Sequence, residues 1–179
     1  EGQSVGVVKN LSYMTHVTIS SNTDPILHYV KSKDLIDLNS TVDHAVLTEN
    51  VKVFVNGSWL GVVENAYEYY TYLKSLKHSG IINVYTSIVF DVKNMEIRVC
   101  NDAGRLTRPL LKVKKNESHL SDEVIEDIRN KRISWDDLIT KSKYEDSILE
   151  YIDPEEQNHS LIAMSISKLT TKKFTYCEI

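Results

Sequence analysis

Lys52-Val53-Phe54-Val55-Asn56-Gly57-Ser58-Trp59-Leu60-Gly61-Val62-Val63 says most about how this chain folds. Lys52 to Val55 alternates, with the two-residue period of a strand. Asn56-Gly57 is the strongest two-residue hairpin signal, because both central residues must take positive φ and Asn and Gly tolerate it. Ser58 to Val63 returns as the second strand. Asn65 then caps a helix predicted to reach about His78. Lys74, Lys77 and His78 occupy its last turn, where the helix dipole favours cations, and Gly80 follows as a stop. Three further strands are predicted over 84–92, 95–100 and 105–113, with turns at Lys93-Asn94 and Asp102-Ala103-Gly104. Hairpin, helix and strands make a compact unit of about sixty residues.

On the N-terminal side, 5–20 suits a turn followed by a strand or short helix. Asp24-Pro25 reads as a helix start, with Asp24 as cap and Pro25 at the first position, followed by Ile26, Leu27, Val30 and Leu35 at helical spacing. Residues 39–50 read as a linker. On the C-terminal side, Ser121 caps an acidic helix with Arg129, Lys131 and Arg132 at its end. Leu120, Val124, Ile125 and Ile128 form its apolar stripe. Ser134 caps a second, short helix carrying Trp135, Leu138 and Ile139. Leu149-Glu150-Tyr151-Ile152 and Leu161-Ile162-Ala163-Met164 are predicted strands around the acidic loop Asp153-Pro154-Glu155-Glu156. The expected fold class is α+β: a small mixed unit of hairpin, helix and three further strands, then a small mainly helical unit with short strands.

The composition excludes several classes. The chain has 179 residues, 41% of them hydrophobic and 26% charged, with a net charge of −4 and a pI near 5.9. It is not a basic nucleic-acid glove, and no apolar run is long enough to span a membrane. Cys100 and Cys177 stand far apart with no second pair, so neither a disulfide framework nor a zinc site is implied.

Four motifs invite chemistry. Gly2 and Gly6 stand four apart, but a phosphate-cradling loop needs Lys and Ser or Thr directly after the second Gly, and Lys9-Asn10 comes too late. The segment reads as a tight turn that lets backbones approach closely. Lys9 has two candidate partners, a phosphate or a carboxylate of a neighbouring domain. Asp102, Gly104, Arg105, Arg108 and Pro109 read as structural. Asp102 and Gly104 make a turn in which Gly104 supplies positive φ. The two arginines hold carboxylates or carbonyls as planar forks, and Pro109 suits a sheet edge or strand end. The acidic loop reads as exposed rather than as a Mg²⁺ site, which would need carboxylates fixed in a rigid cleft. Tyr67, Tyr69, Tyr70 and Tyr72 spread around one helix and read as packing, not as a stacking platform for single strands. No Ser–His–Asp or Cys–His arrangement is specified.

Three stretches in fixed order carry a family resemblance: 1–11 (EGQSVGVVKNL), 102–110 (DAGRLTRPL) and 150–156 (EYIDPEE). Together they resemble the middle of the second-largest subunit of multisubunit DNA-directed RNA polymerases, of the eukaryotic polymerase II type or a large-DNA-virus relative. Ser4, Val7, Pro154 and Gln157 depart mildly from the usual pattern. The resemblance implies an internal piece of a longer chain. Residues 1–48 would close the fork region and its connection, 50–112 would form the first external domain, and 114–170 the second. Residues 171–179 would open the hybrid-binding domain, with Tyr176-Cys177-Glu178-Ile179 of polymerase II type. Glu1, Gln3, Lys9 and Asn10 would then lie near nucleic acid. The implied partners are other polymerase subunits, chiefly the largest, with DNA template and RNA hybrid met through the assembly, and transcription factors; no membrane is implied. No cofactor is expected in this segment, since the catalytic Mg²⁺ and a Zn²⁺ site would lie elsewhere in the enzyme. The implied location is the nucleus for a cellular source, or the virion or host cytoplasm for a viral one. The alternative is a stand-alone protein-interaction module.

Overall fold

The computed structural model describes residues 6, 8, 10–38, 43–141, 143–169 and 173–179. In chain order its elements are β1 (His16–Val17), α1 (Asp24–Ser32), β2 (Ile36–Asp37), α2 (His44–Glu49), β3 (Val51–Val55), β4 (Ser58–Val63), α3 (Ala66–His78), β5 (Ser87–Asp91), β6 (Glu96–Cys100), β7 (Leu106–Lys114), β8 (Glu117–Ser118), α4 (Asp122–Arg129), α5 (Trp135–Ile139), β9 (Leu149–Ile152), α6 (Pro154–Asn158), β10 (Ile162–Ala163) and β11 (Tyr176–Cys177). The class is α+β. One sheet runs β2-β4-β3-β6-β5, and the other is built around β7.

The hairpin forms where its turn chemistry places it. Asn56 and Gly57 both have positive φ, 47° and 81°, and Val55 pairs with Ser58. The Asn56 side chain also bonds across to Asn101, its Nδ2 donating to Oδ1 at 2.7 Å and its Oδ1 accepting from the Asn101 amide at 3.0 Å. That pair fastens the turn to the end of β6, which lies parallel to β3.

Helix α3 lies between two layers. Ala66, Tyr69, Leu73 and Leu76, at helical spacing, enter the core formed with Val30, Val53, Val63 and Ile97. Burying each large apolar side chain contributes roughly 1.5–3 kcal/mol. The Tyr69 hydroxyl donates to Val30 O at 2.6 Å, so its polar end is satisfied where it is buried. A second core beyond β7 contains Leu111, Val124, Leu138, Leu149 and Cys177.

Strand β7 is the hub of the other sheet. On one side it meets β9; on the other it meets β1 at Leu106 and Thr107 and β11 at Leu111 and Lys112. Pro109, expected at an edge or strand end, lies inside this strand opposite Tyr151. The tolerance has a plain cause. The Lys112 amide points to β9, bonding Ile148 O, and the Val113 amide points the other way, to Thr175 O. Alternation therefore aims the nitrogen of Pro109 into the gap between β1 and β11, where no ladder bond is forfeited.

Four local expectations are corrected. Asp24 is inside α1 rather than at its cap: Thr23 holds the cap position, and Asn22 Oδ1 accepts from the Asp24 amide at 3.0 Å. The helix ends at Ser32, so Leu35 is not part of its stripe. Within the expected linker, 39–42 lie outside the described residues, while His44–Glu49 is helical with Asp43 capping it. The acidic loop is not an exposed turn: Pro154–Asn158 is a short helix, with Asp153 and Glu156 each 4% exposed.

Candidate functional site

The residues richest in chemistry converge under α3. Lys74 and Lys77, three apart, share the helix face that flanks its apolar stripe. That face turns to β9 and α6, not to water: Lys74 is 7% exposed and Lys77 2%. Lys74 Nζ donates to Glu150 Oε1 and Glu156 Oε1, both at 2.6 Å. Lys77 Nζ donates to Tyr151 O at 2.8 Å and stands 3.2 Å from Glu150 Oε1. The other Glu150 oxygen accepts from the Tyr176 hydroxyl at 2.9 Å and lies 3.0 Å from His78 Nε2. Glu156 Oε1 also accepts from the Ile88 amide at 3.2 Å.

The electrostatics follow from burial and pairing. Two ammonium groups face two carboxylates, so the cluster is neutral as a set. Burial, the largest influence on Lys74, works against its charge, yet Glu150 and Glu156 outweigh it and hold the pKa well above the ordinary 10.5. Burial likewise disfavours the Glu150 carboxylate, but Lys74, Lys77 and His78 pull its pKa well below the usual 4.5. Burial and the neighbouring Glu150 charge keep Tyr176 protonated far above pH 10. Each ion here is compensated, the condition under which charge survives in a low-dielectric interior.

Around this cluster, two arginines tie distant segments together. Arg105 Nε lies 2.8 Å from Asp102 Oδ1, one terminal nitrogen lies 3.3 Å from Asp153 Oδ2, and the other donates to Tyr85 O at 3.0 Å. Gly104 sits in the turn with φ of 83°, and its amide donates to Thr18 O. Asp153 also caps α6: it accepts from the Glu156 amide at 2.8 Å, while Glu156 Oε2 accepts from the Asp153 amide. Arg108 pairs with Glu178 and donates to Gln157 Oε1 at 3.3 Å.

Of the residues expected near nucleic acid, Glu1, Gln3 and Lys9 lie outside the described residues. Asn10 lines an open groove of about 350 Å³ together with Thr15, Arg108, Pro154, Gln157 and Glu178. The structure thus brings Asn10 and Arg108 to one groove. Asp102, Gly104 and Arg105 form a separate turn against Thr18.

The cluster was missed by reading each charge with its sequence neighbours. One signal was legible: Glu150 interrupts an otherwise apolar strand, and all four residues of β9 are buried. A charge in such a strand requires a partner.

Chemically, the arrangement holds rather than reacts. A groove of about 180 Å³ walled by Tyr67, Tyr70 and Phe90 approaches Lys74 and Glu156, but both groups are already spent on each other. Burial pushes the Cys100 thiol up to about 11, far from a nucleophilic thiolate. Among the described residues no group of three or more His, Cys, Asp or Glu is placed to hold a metal ion, and no helix is long and apolar enough to cross a membrane.

Two consecutive family models match the chain: RNA polymerase Rpb2, domain 4, over residues 53–114, and RNA polymerase Rpb2, domain 5, over residues 135–179. The chain belongs to the Rpb2 family, the second-largest subunits of DNA-directed RNA polymerases. Over its whole length it is 34% identical to DNA-directed RNA polymerase II subunit RPB2 of Encephalitozoon cuniculi and 30% identical to DNA-directed RNA polymerase II subunit 2 of Arabidopsis thaliana. Over 89% of its length it is 30% identical to DNA-directed RNA polymerase subunit 2 of Acanthamoeba polyphaga mimivirus. The chain spans 16% of the length of the first two and 13% of the third.

Proposed function

We propose that this chain serves DNA-templated RNA synthesis as a structural part of the second-largest subunit of an RNA polymerase, supplying scaffold and no catalytic groups. The observation that carries this reading is the pair of consecutive Rpb2 domain matches within a chain that aligns end to end with RNA polymerase II subunits. The geometry supports the scaffold role. The charges gathered under α3 neutralise one another, whereas phosphoryl transfer needs carboxylates presented to a metal in an open cleft.

In this reading, 1–48 end the fork region, 50–112 form the first external domain, 114–170 the second, and 171–179 begin the hybrid-binding domain. The Mg²⁺ and Zn²⁺ of the enzyme belong to other parts of it. Partners are the remaining polymerase subunits, above all the largest, with DNA and RNA met through the assembly and transcription factors on the external domains. The net charge of −4 suits an outer wall that does not gather stray nucleic acid. The location is the nucleus for a cellular source, or the virion or host cytoplasm for a viral one.

The test is to tag the subunit carrying this sequence in its source cells, purify it, and measure template-dependent ribonucleotide incorporation. Activity and a larger subunit should co-purify, while the isolated 179-residue chain should be inactive and bind DNA weakly and in a salt-sensitive way. Tagged protein that elutes alone and inactive would overturn the proposal.

A further inference from the structure

His78 stands at the end of α3, where four segments meet. Lys74 and Lys77 precede it on α3, and Lys112 reaches it from β7. Glu150 reaches it from β9, and Lys141 and Asp146 from the connection between α5 and β9. Tyr176 of β11 shares the Glu150 oxygen that faces the ring, and His119, just beyond β8, is electrostatically coupled to it. The neighbours of the ring define its state. Nε2 is 3.0 Å from a carboxylate oxygen of Glu150, which only accepts, so Nε2 carries the proton. Nδ1 is 3.2 Å from the Lys112 ammonium, which only donates, so Nδ1 is bare. The imidazole is neutral with one defined tautomer.

A second proton has to enter at Nδ1, directly against an ammonium. An alternative acceptor is close: Asp146 Oδ1 lies 3.8 Å from Nδ1 while accepting from Lys112 Nζ at 2.8 Å. Lys112 also donates to Ser147 Oγ at 3.2 Å. We propose that His78 is a proton-sensitive latch: protonation draws Asp146 from Lys112 to His78 and loosens residues 143–148. Those residues wall a groove of about 380 Å³ whose lining includes Lys114, His119, Val124, Tyr144, Asp146 and Ile148. Their backbone ties report the state of the latch. Lys112 N donates to Ile148 O at 2.9 Å, Ile148 N to Leu138 O at 2.8 Å, and Lys141 N to His78 O at 2.8 Å. Burial already holds the His78 pKa below its ordinary 6.5, against the pull of Glu150, so the latch is shut at neutral pH and opens on acidification.

Amide exchange of the 179-residue chain at about pH 7 and about pH 5, corrected for intrinsic rates, tests this. The Ile148 and Lys112 amides should exchange about tenfold faster at the lower pH, a larger factor than for Val53 and Ile97, which follow only the global loss of stability. H78Q, whose amide can donate to Glu150 and accept from Lys112 without titrating, should abolish the response, and H119Q should keep it. The proposal is overturned by an unchanged Ile148 rate, by a response that survives in H78Q or vanishes in H119Q, or by core amides accelerating in step. Ring nitrogen shifts of His78 in the unaltered chain provide a check that needs no variant. They should report a proton on Nε2 at neutral pH and titrate together with Ile148 exchange; the opposite tautomer, or separate titrations, would equally overturn it.

Discussion

At the scale of single residues, Lys74 is where one atom governs most. Its ammonium separates Glu150 from Glu156, and removing it leaves two buried carboxylates with the Lys77 ammonium as the one positive charge shared between them. Lys74→Met should therefore destabilise the chain by about 3–5 kcal/mol, the usual cost of an uncompensated buried charge, measured by urea unfolding. Adding Glu150→Gln to that variant should recover part of the loss, because the partners are coupled; a strictly additive double variant would show that the pair does not interact. Gly61 matters for a steric reason. A Cβ there would lie 2.2 Å from Ile36 O, where β2 pairs with β4. Gly61→Ala should cost roughly 1–3 kcal/mol and increase amide exchange in β2 more than in β3.

At the scale of elements, α3 and α6 show how one sequence pattern serves two purposes. The apolar stripe of α3 packs on one sheet, and its cationic stripe meets the acids of β9 and α6. Helix α6 is only five residues long, too short to stand by propensity, and persists through its capping box and the burial of Glu156. Asp153→Ala removes the cap and a partner of Arg105 together, and should cost about 1–2 kcal/mol. Glu155→Ala, which loses a half-exposed contact to Arg98, should change stability by less than about 1 kcal/mol. Thermal unfolding of the two variants side by side checks the contrast, and equal effects would refute it.

At the scale of the whole molecule, the buried titratable groups make stability a domed function of pH. His78 has its pKa lowered by burial in the folded chain, so the unfolded chain takes up the proton first and stability declines as pH falls through about 6.5. Glu150, held well below 4.5 by Lys74 and Lys77 against its burial, adds a further loss as pH falls below that value. On the alkaline side, burial raises Tyr69 and Tyr176, and Lys74 keeps its proton longer folded than unfolded. Stability is thus lost above about pH 10. The midpoint of thermal unfolding should peak between about pH 7 and pH 10 and fall on both sides. A maximum near the pI of 5.9 would contradict this account of the cluster.

What the sequence determined by itself is local. The Asn56-Gly57 turn, the span of α3 and the caps at Ser121 and Ser134 rest on contacts within a few residues, and those are written in neighbouring letters. The family was legible too, because its motifs are short runs in fixed order. The Asp153–Glu156 capping box was equally local, yet a run of acids reads as solvated until Lys74 is known to face it. Tertiary structure alone decided where the charges go. Lys74 and Glu150 are seventy-six positions apart, and only the pairing of β9 with β7 brings that strand beneath α3. It also decided the place of Pro109, since a proline inside a strand is acceptable only where its nitrogen meets no partner, and that depends on where β1 ends and β11 begins.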